Sequence, residues 1–589
     1  MKDYLKKNFV PLLIIYGLTL LIFYQVKNFD FLSNWDDDNY IIRNPDIAQI
    51  SWENIKKIFT SFYISNYQPL TMLVYMLELA VFGLKPAAFH WVNVLFHVVN
   101  IFLVYRITDK LFGGKYTPFI VAVLFAIHPT RLESVTWIAE LKDVMYACFY
   151  LASINSFINF ISTNKNKYLY ISLLWFLASL LSKSMAITLP AILLLIYFYQ
   201  KQKLDKNILI KSVPFFILSV IFGLLALYTQ SQKAMEIAMK TGVVDRIFLV
   251  FYAIWLYIEK LILPVNLAGI HYYPPKLDGS FPLKVYLSPV LVFIIGFLLW
   301  KIKRYRTLII FGVLFFLISI SIVIQIVPFG YAIIAERYTY IPYLGFFFII
   351  GVVVNEILEG KSFIKYKSIV KYAGIIALIL LTYQSYSRNK VWLNSVIFFG
   401  DIAKKYPYSD HIHWIYGNSL KDYKMYRKAI ASYNKAIEIN PDYAMAYFNR
   451  GVAKAQLKNY QDAIKDYQKT IELDSSYYPA YNNMANAFLS LKEYETALQY
   501  INKAMEINPE YHNAKLTKAD LLTLMKKYEE ALPWYNEFLK IFPNNSKALY
   551  NRAVCLYYLK QHNKACADWK KAAKLGNKSA LKSVQQYCR

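Results

Sequence analysis

Three adjacent carboxylates, Asp36, Asp37 and Asp38, follow Trp35 and precede Asn39-Tyr40. Crowding raises the pKa of some members of such a group, which suits one of them to take a proton from a hydroxyl as a general base. The same residues would also make a solvated acidic turn or a divalent-cation site. Arg131, Lys183 and Arg337 are cations at the edges of apolar runs. An Arg fork fits a phosphate bidentately, whereas a lone Lys at such an edge also snorkels. Carboxylates for an attacking group and cations for a phosphate together match an anionic, lipid-linked substrate.

Further polar groups lie on the same elements. His90, Asn93, His97 and Asn100 are spaced 3, 4 and 3 and form one polar stripe in an otherwise apolar run. At membrane depth such groups face the bundle interior; they either orient a substrate or hydrogen-bond between helices. No acidic partner stands beside the two His, so no metal site is expected, and no cofactor. His128-Pro129 leads to Glu133, and Trp137, Glu140, Lys142 and Asp143 follow as a second charged cluster. Glu336 precedes Arg337 and is placed to pair with it.

These residues need elements to hold them. The chain has 589 residues, 57% hydrophobic and 18% charged. A soluble domain carries more charge, so a membrane explanation is required. Up to about Arg388 the sequence is a series of long apolar runs; after Asp401 it is polar. The expected fold is all-α: a polytopic helical bundle over 1–388, a linker over 389–409 and a helical array over 410–589. The apolar runs give eleven spans, with Leu70–Leu84 and Ile247–Leu263 as interfacial or re-entrant helices. Asn8–Val26 reads as the first span rather than a cleaved signal, because its apolar stretch is long and no small-residue cleavage site follows.

The net charge of +28 reads as topology rather than nucleic-acid binding, since much of it sits in short loops. Clusters at Lys2–Lys7, Lys165–Lys167, Lys201–Lys211, Lys301–Arg306 and Lys361–Lys371 belong on the cytoplasmic side. Eleven spans satisfy all five. They leave the first loop (28–67), His128–Asp143, Ser182–Ser184, Pro264–Pro282, Pro328–Pro342 and the C-terminal array on the outer side. Of four Cys, Cys555 and Cys566 are close enough in sequence to meet within one repeat.

The array has a period of 34. Gly417, Gly451, Ala485, Ala519 and Ala553 share one position, and Ala429, Ala463, Ala497, Ala531 and Ala565 another. Pro441, Pro509 and Pro543 fall on the same grid, with Ser475 in the remaining place. Tyr433, Tyr467, Ile501, Tyr535 and Trp569 fill a large apolar position. This matches five tetratricopeptide repeats, helical hairpins that stack into a solenoid with a concave groove.

Taken in order, the motifs resemble the transmembrane and tetratricopeptide-repeat-containing glycosyltransferases, relatives of protein O-mannosyltransferases in the GT-C superfamily. Asp36-Asp37 with Ile41, Asn44 and Asp46 is similar to that family's first-loop pattern. So are Tyr67-Gln68-Pro69-Leu70-Thr71, with Gln68 in place of Arg, and Phe89-His90, Asn93 and His97. His128-Pro129, Glu133, Val135 and Trp137, and Ala335-Glu336-Arg337-Tyr338, complete the set. Leu141 stands where an Arg is expected, and Ser184 where an acid is expected. The resemblance implies an inverting, metal-independent transfer of a sugar, often mannose, from a polyprenyl phosphate to Ser or Thr hydroxyls of translocated proteins. Asp36 or Asp37 would be the base. Arg337 and Lys183, with Arg131, would hold the phosphate, and Asp38, His90, Asn93, His97, His128, Glu133 and Glu336 would support sugar or acceptor. The array would hold acceptor polypeptides or partner proteins. The composition points to a prokaryotic inner membrane; in a eukaryote the location would be the endoplasmic reticulum with luminal repeats. Three alternatives stay open on the sequence: a lipid or polysaccharide acceptor, a membrane-anchored scaffold without activity, and a transporter.

Overall fold

A computed structural model describes the chain except residues 1–3, 5, 7, 241, 277, 327–331, 361–362 and 589, with the backbone alone at 230–240. Lys2, Lys7 and Lys361 of the basic clusters, the end of the run at Val327, and Pro328 lie outside the described residues. The chain divides into two compact units, Met1–Tyr406 and Pro407–Arg589.

The first unit is a helical bundle. Proline stands first or second in four of its helices, Pro69–Phe82, Pro86–Phe112, Thr117–Ile127 and Leu189–Lys201, in the turn where a missing N–H is harmless. Gly83 and Gly113 end the first two with φ of 62° and 63°. Gly312 and Gly345 bring the helices Arg306–Ile320 and Leu344–Glu359 together: a Cβ on either would strike the carbonyl oxygen of the other. Against the eleven spans expected, seven of the described helices are long and apolar enough to cross a membrane by length and composition, eight if one bent pair counts as a span. The difference has a physical origin. Asn166–Ser182 and Leu344–Glu359 have 17 and 16 residues, short of the roughly 20 a span needs, and Ile364–Asn389 carries three Lys in its first half.

The bent pair carries the second charged cluster. The helix Thr117–Ile127 breaks at His128 and resumes as Pro129–Thr136 at 56°. A short turn over Ile138–Glu140 then leads into Leu141–Thr163, a largely buried helix. A break frees backbone groups, and at membrane depth these need internal partners. The polar stripe supplies them. His90 bonds the Thr136 carbonyl at 2.7 Å, Asn93 the Trp137 carbonyl at 2.9 Å, His97 the Ala126 carbonyl at 3.2 Å and Asn100 the Val144 carbonyl at 2.8 Å. Thr71 and Tyr75 do the same for Ser182 and Ile138 at 3.1 and 2.9 Å.

The only sheet among the described residues pairs His271–Tyr272 with Ala332–Ile334, antiparallel. The stretch expected as a linker is instead folded into the bundle as far as Lys405. Ser395–Lys405 is a helix capped by Asn394, and Trp392, Phe398 and Phe399 are buried. Their rings pack on Trp35 and Trp137, with centroids 5.2–6.1 Å apart, and Trp392 meets Phe398 at 4.6 Å.

The second unit is the hairpin array, from Asp410–Asp422 to Lys578–Tyr587. The small residues on the grid are needed because a large ring faces them: a Cβ at Gly451 would lie 2.7 Å from the Tyr467 ring. Each hairpin turns on a Lys with left-handed φ: Lys424, Lys458, Lys492, Lys526 and Lys560, at 59–66°. The Cys555–Cys566 pairing is not formed. Cys566 bonds Cys588, tying the last helix to the one before it, and Cys555 is buried and free. Cys555 is buried in the hairpin core beside Thr523 (3.2 Å), whereas Cys566 is partly buried and packs at the edge of that core with Cys588.

Candidate active site

The first loop folds around its acids. Asn34 adopts φ of 62°, and its N–H donates to Asp38 at 2.9 Å. Asp38 also faces Arg43 at 3.7 Å and so shapes the turn rather than supporting a substrate. Asn44 accepts from the Asp46 N–H at 3.0 Å, and Asp46 accepts from the Tyr63 hydroxyl at 3.0 Å. These bonds close the loop on itself.

Asp36 and Asp37 separate sharply. Asp37 is 1% exposed, and its oxygens accept from Leu32 N–H (2.8 Å), Trp137 Nε1–H (3.0 Å) and Ala139 N–H (3.0 Å). Burial pushes its carboxyl up to about 7, against the pull of these three donors. A carboxylate so engaged locks the loop onto the 137–139 turn, with both oxygens taken by protein donors. Asp36 keeps 31% of its side chain exposed and lies 3.8 Å from Lys142.

From Lys142 the charges run on without a break. Its Nζ is 3.2 Å from Glu140 Oε1 and sits 4.7 Å above the Tyr40 ring. Lys183 approaches Glu140 Oε2 at 3.4 Å and pairs closely with Asp143. The Arg337 Nε is 3.3 Å from Glu140 Oε1, and its guanidinium also pairs with Glu133. Glu140 is 1% exposed and gathers three cations. The retained exposure lies at Asp36 and, at 19% of its side chain, Arg337. The ion pairs of Arg337 run through Nη1 to Glu133 and Nε to Glu140. The sequence shows Glu140 and Lys142 as charge without a role. Their only local signal is alternation with Asp143.

Several expected site residues are instead structural. Arg131 is fully buried. It donates to the carbonyls of Tyr340 (2.6 Å) and Thr339 (3.0 Å) and to the hydroxyls of Thr339 and Thr130, among the rings of Phe125, Tyr340 and Tyr343. It cannot reach a phosphate. His90, Asn93 and His97 hold the broken helix, and His97 also meets the Tyr340 hydroxyl at 2.6 Å. His128 spans Thr130 and the Leu261 carbonyl. Glu336 does not pair with Arg337; it accepts from Ala268 N–H (2.7 Å) and meets His271 at 3.0 Å. Glu133 alone of the supporting set joins the charge cluster. Among the described residues, no group of three or more His, Cys, Asp and Glu is arranged to hold a metal ion.

Residues 68–229 match the family described as dolichyl-phosphate-mannose-protein mannosyltransferase, a stretch holding Glu133, Glu140, Lys142, Asp143 and Lys183. Tetratricopeptide families match 417–458, 444–477, 478–511, 512–545 and 547–575. Protein O-mannosyl-transferase F38B6.6 of Caenorhabditis elegans is 25% identical over 456 residues, covering 73% of this chain and 63% of the relative. Human protein O-mannosyl-transferase TMTC1 is 23% identical over 487 residues, covering 71% and 54%. The chain thus spans just over half to six-tenths of the length of these relatives. Among solved structures, the tetratricopeptide protein YrrB is 20% identical over 32% of this chain and 97% of its own, with a TM-score of 0.27. By its matched segments and the curated proteins it resembles, the chain is similar to the protein O-mannosyl-transferases, and it joins a segment matching the mannosyltransferase family to tetratricopeptide repeats.

Proposed function

We propose that the chain is a multi-pass membrane glycosyltransferase that moves a hexose, mannose by analogy with its relatives, from a polyprenyl phosphate to Ser or Thr hydroxyls of proteins. The observation that carries this reading is the continuous ion-pair chain Asp36–Lys142–Glu140–(Lys183, Arg337), which puts a part-exposed carboxylate and a part-exposed guanidinium in one cluster. Asp36 takes the proton of the acceptor hydroxyl. The oxygen attacks the anomeric carbon, the bond from that carbon to the phosphate oxygen breaks, and its electron pair leaves with the phosphate. Attack opposite the leaving group inverts the centre. Arg337 and Lys183 stabilise the charge that grows on the phosphate. The transfer takes place on the non-cytoplasmic side of a prokaryotic inner membrane, and the repeats hold the acceptor polypeptide there.

Asp36 is the base in this scheme and Asp37 its anchor. Asp36→Asn removes the proton acceptor while leaving the Asp37 bonds to Leu32, Trp137 and Ala139 in place. Transfer from mannosyl-phosphate polyprenol to an acceptor protein, followed by intact mass, should be abolished in Asp36→Asn at normal protein level. Full transfer by this variant would overturn the assignment. A product found on lipid or polysaccharide, with unmodified protein, would redirect it to a different acceptor.

A further inference from the structure

Gln68 is 1% exposed, and neither its Nε2 nor its Oε1 has a hydrogen-bond partner. It occupies the N-cap of Pro69–Phe82, yet its side chain makes no cap bond. Among the described residues, Gln68 and Glu78 are the two buried amides or carboxylates unpartnered at both polar atoms. Native structures rarely keep such a group, and each instance asks for an explanation.

The position supplies one. Thr71, three residues on and so on the same helix face, donates to the Ser182 carbonyl at 3.1 Å. Ser182 is the neighbour of Lys183. Tyr75 donates to the Ile138 carbonyl, two residues before Glu140, and stacks on Tyr40, whose ring lies under Lys142. The start of this helix is thereby pinned to the segments that carry the cluster's two lysines and Glu140. Glu78 lies ten residues further, about 15 Å along the axis, away from them. A primary amide offers a donor and an acceptor side by side and adds no charge to a cluster that already holds three cations. A hydroxyl, itself both donor and acceptor, complements it better than a phosphate does.

We infer that Gln68 hydrogen-bonds a hydroxyl of the transferred sugar. This rests on the reading of the chain as a transferase using lipid-linked sugar. The test uses full-length protein in detergent, titrated with a short polyprenyl phosphate and with the same lipid carrying mannose. Wild type should bind the mannosyl lipid more tightly than the bare one. Gln68→Leu should bind the bare phosphate within about twofold of wild type and lose about tenfold in affinity for the mannosyl lipid, the range of one or two hydrogen bonds. Gln68→Ala, which removes the amide without adding a branched side chain, should show the same split if Gln68→Leu fails to fold. Glu78→Gln should change neither affinity. Wild-type affinity for the mannosyl lipid in the folded Leu or Ala variant would overturn the role of Gln68 alone. A wild type that binds neither lipid would overturn the proposed function, and this inference with it.

Discussion

Glu140→Gln probes the cluster at its centre. The substitution keeps size and burial and removes one charge from a carboxylate that is 1% exposed and faces cations at 3.2, 3.3 and 3.4 Å. Breaking a buried ion pair by removing one partner costs about 3–5 kcal/mol, because the other charge stays buried. Two of the three cations here retain a second carboxylate, Lys183 in Asp143 and Arg337 in Glu133. Lys142 retains only Asp36, at 3.8 Å. The loss therefore falls at the lower end, about 3 kcal/mol, and part of it is recovered when Lys142 moves onto Asp36. That movement occupies the proposed base. Activity should consequently fall with stability: a loss of roughly 100-fold in kcat/KM, about 2.8 kcal/mol at about 1.4 kcal/mol per tenfold, with a drop in Tm. Glu140→Asp, which keeps the charge, should recover part of the activity. The assays are thermal melting in detergent and initial rates with lipid-linked mannose. A Glu140→Gln protein with kcat/KM within twofold of wild type would refute the account of a cluster organised by this carboxylate.

Asp37 gives a pH dependence of stability. Its folded pKa, about 7, lies above the unfolded carboxylate value, so its contribution is fully present below the unfolded pKa and is lost as pH rises through about 7. Melting temperature should therefore fall between about pH 4 and 7 in wild type, and this slope should flatten in Asp37→Asn. Arg131→Lys should lower Tm without selectively raising the KM for donor, because it breaks four buried bonds among aromatic rings and touches no substrate; a rise in donor KM with unchanged Tm would return Arg131 to the site. Cys588→Ser should destabilise the last hairpin by about 3 kcal/mol from loop entropy, given the 22-residue separation. Its test is the protease sensitivity of the C-terminus under oxidising conditions, and equal resistance of wild type and variant would count against the bond.

The repeats are legible in the sequence because their signal is periodic: one small residue every 34 positions opposite one large ring. The left-handed lysines share that period but carry no signal of their own, since a Lys in a turn looks like any solvated charge. The paired acids stand out as a pair, and nothing local ranks them. What separates them is Trp137 and Ala139, about a hundred residues away in sequence. Arg131 misleads for a related reason. Its carbonyl partners at Thr339 and Tyr340 come from a distant loop, and next to His128-Pro129 it looks available. Glu140 has no distinguishing local context, and its meaning emerges only when Lys183 and Arg337 arrive beside it. The span count is less legible, because length and apolarity together select seven or eight of the described helices where apolar runs alone suggest eleven.

The broken helix at His128 has a mechanical consequence. Its carbonyls are bound by side chains from the helix Pro86–Phe112. Trp137 and Ala139, which seat Asp37, and Glu140, which seats the cations, therefore hang on a clamp one layer back. A site fixed this way has little compliance. Amide exchange through 136–144 should accordingly be among the slowest in the chain.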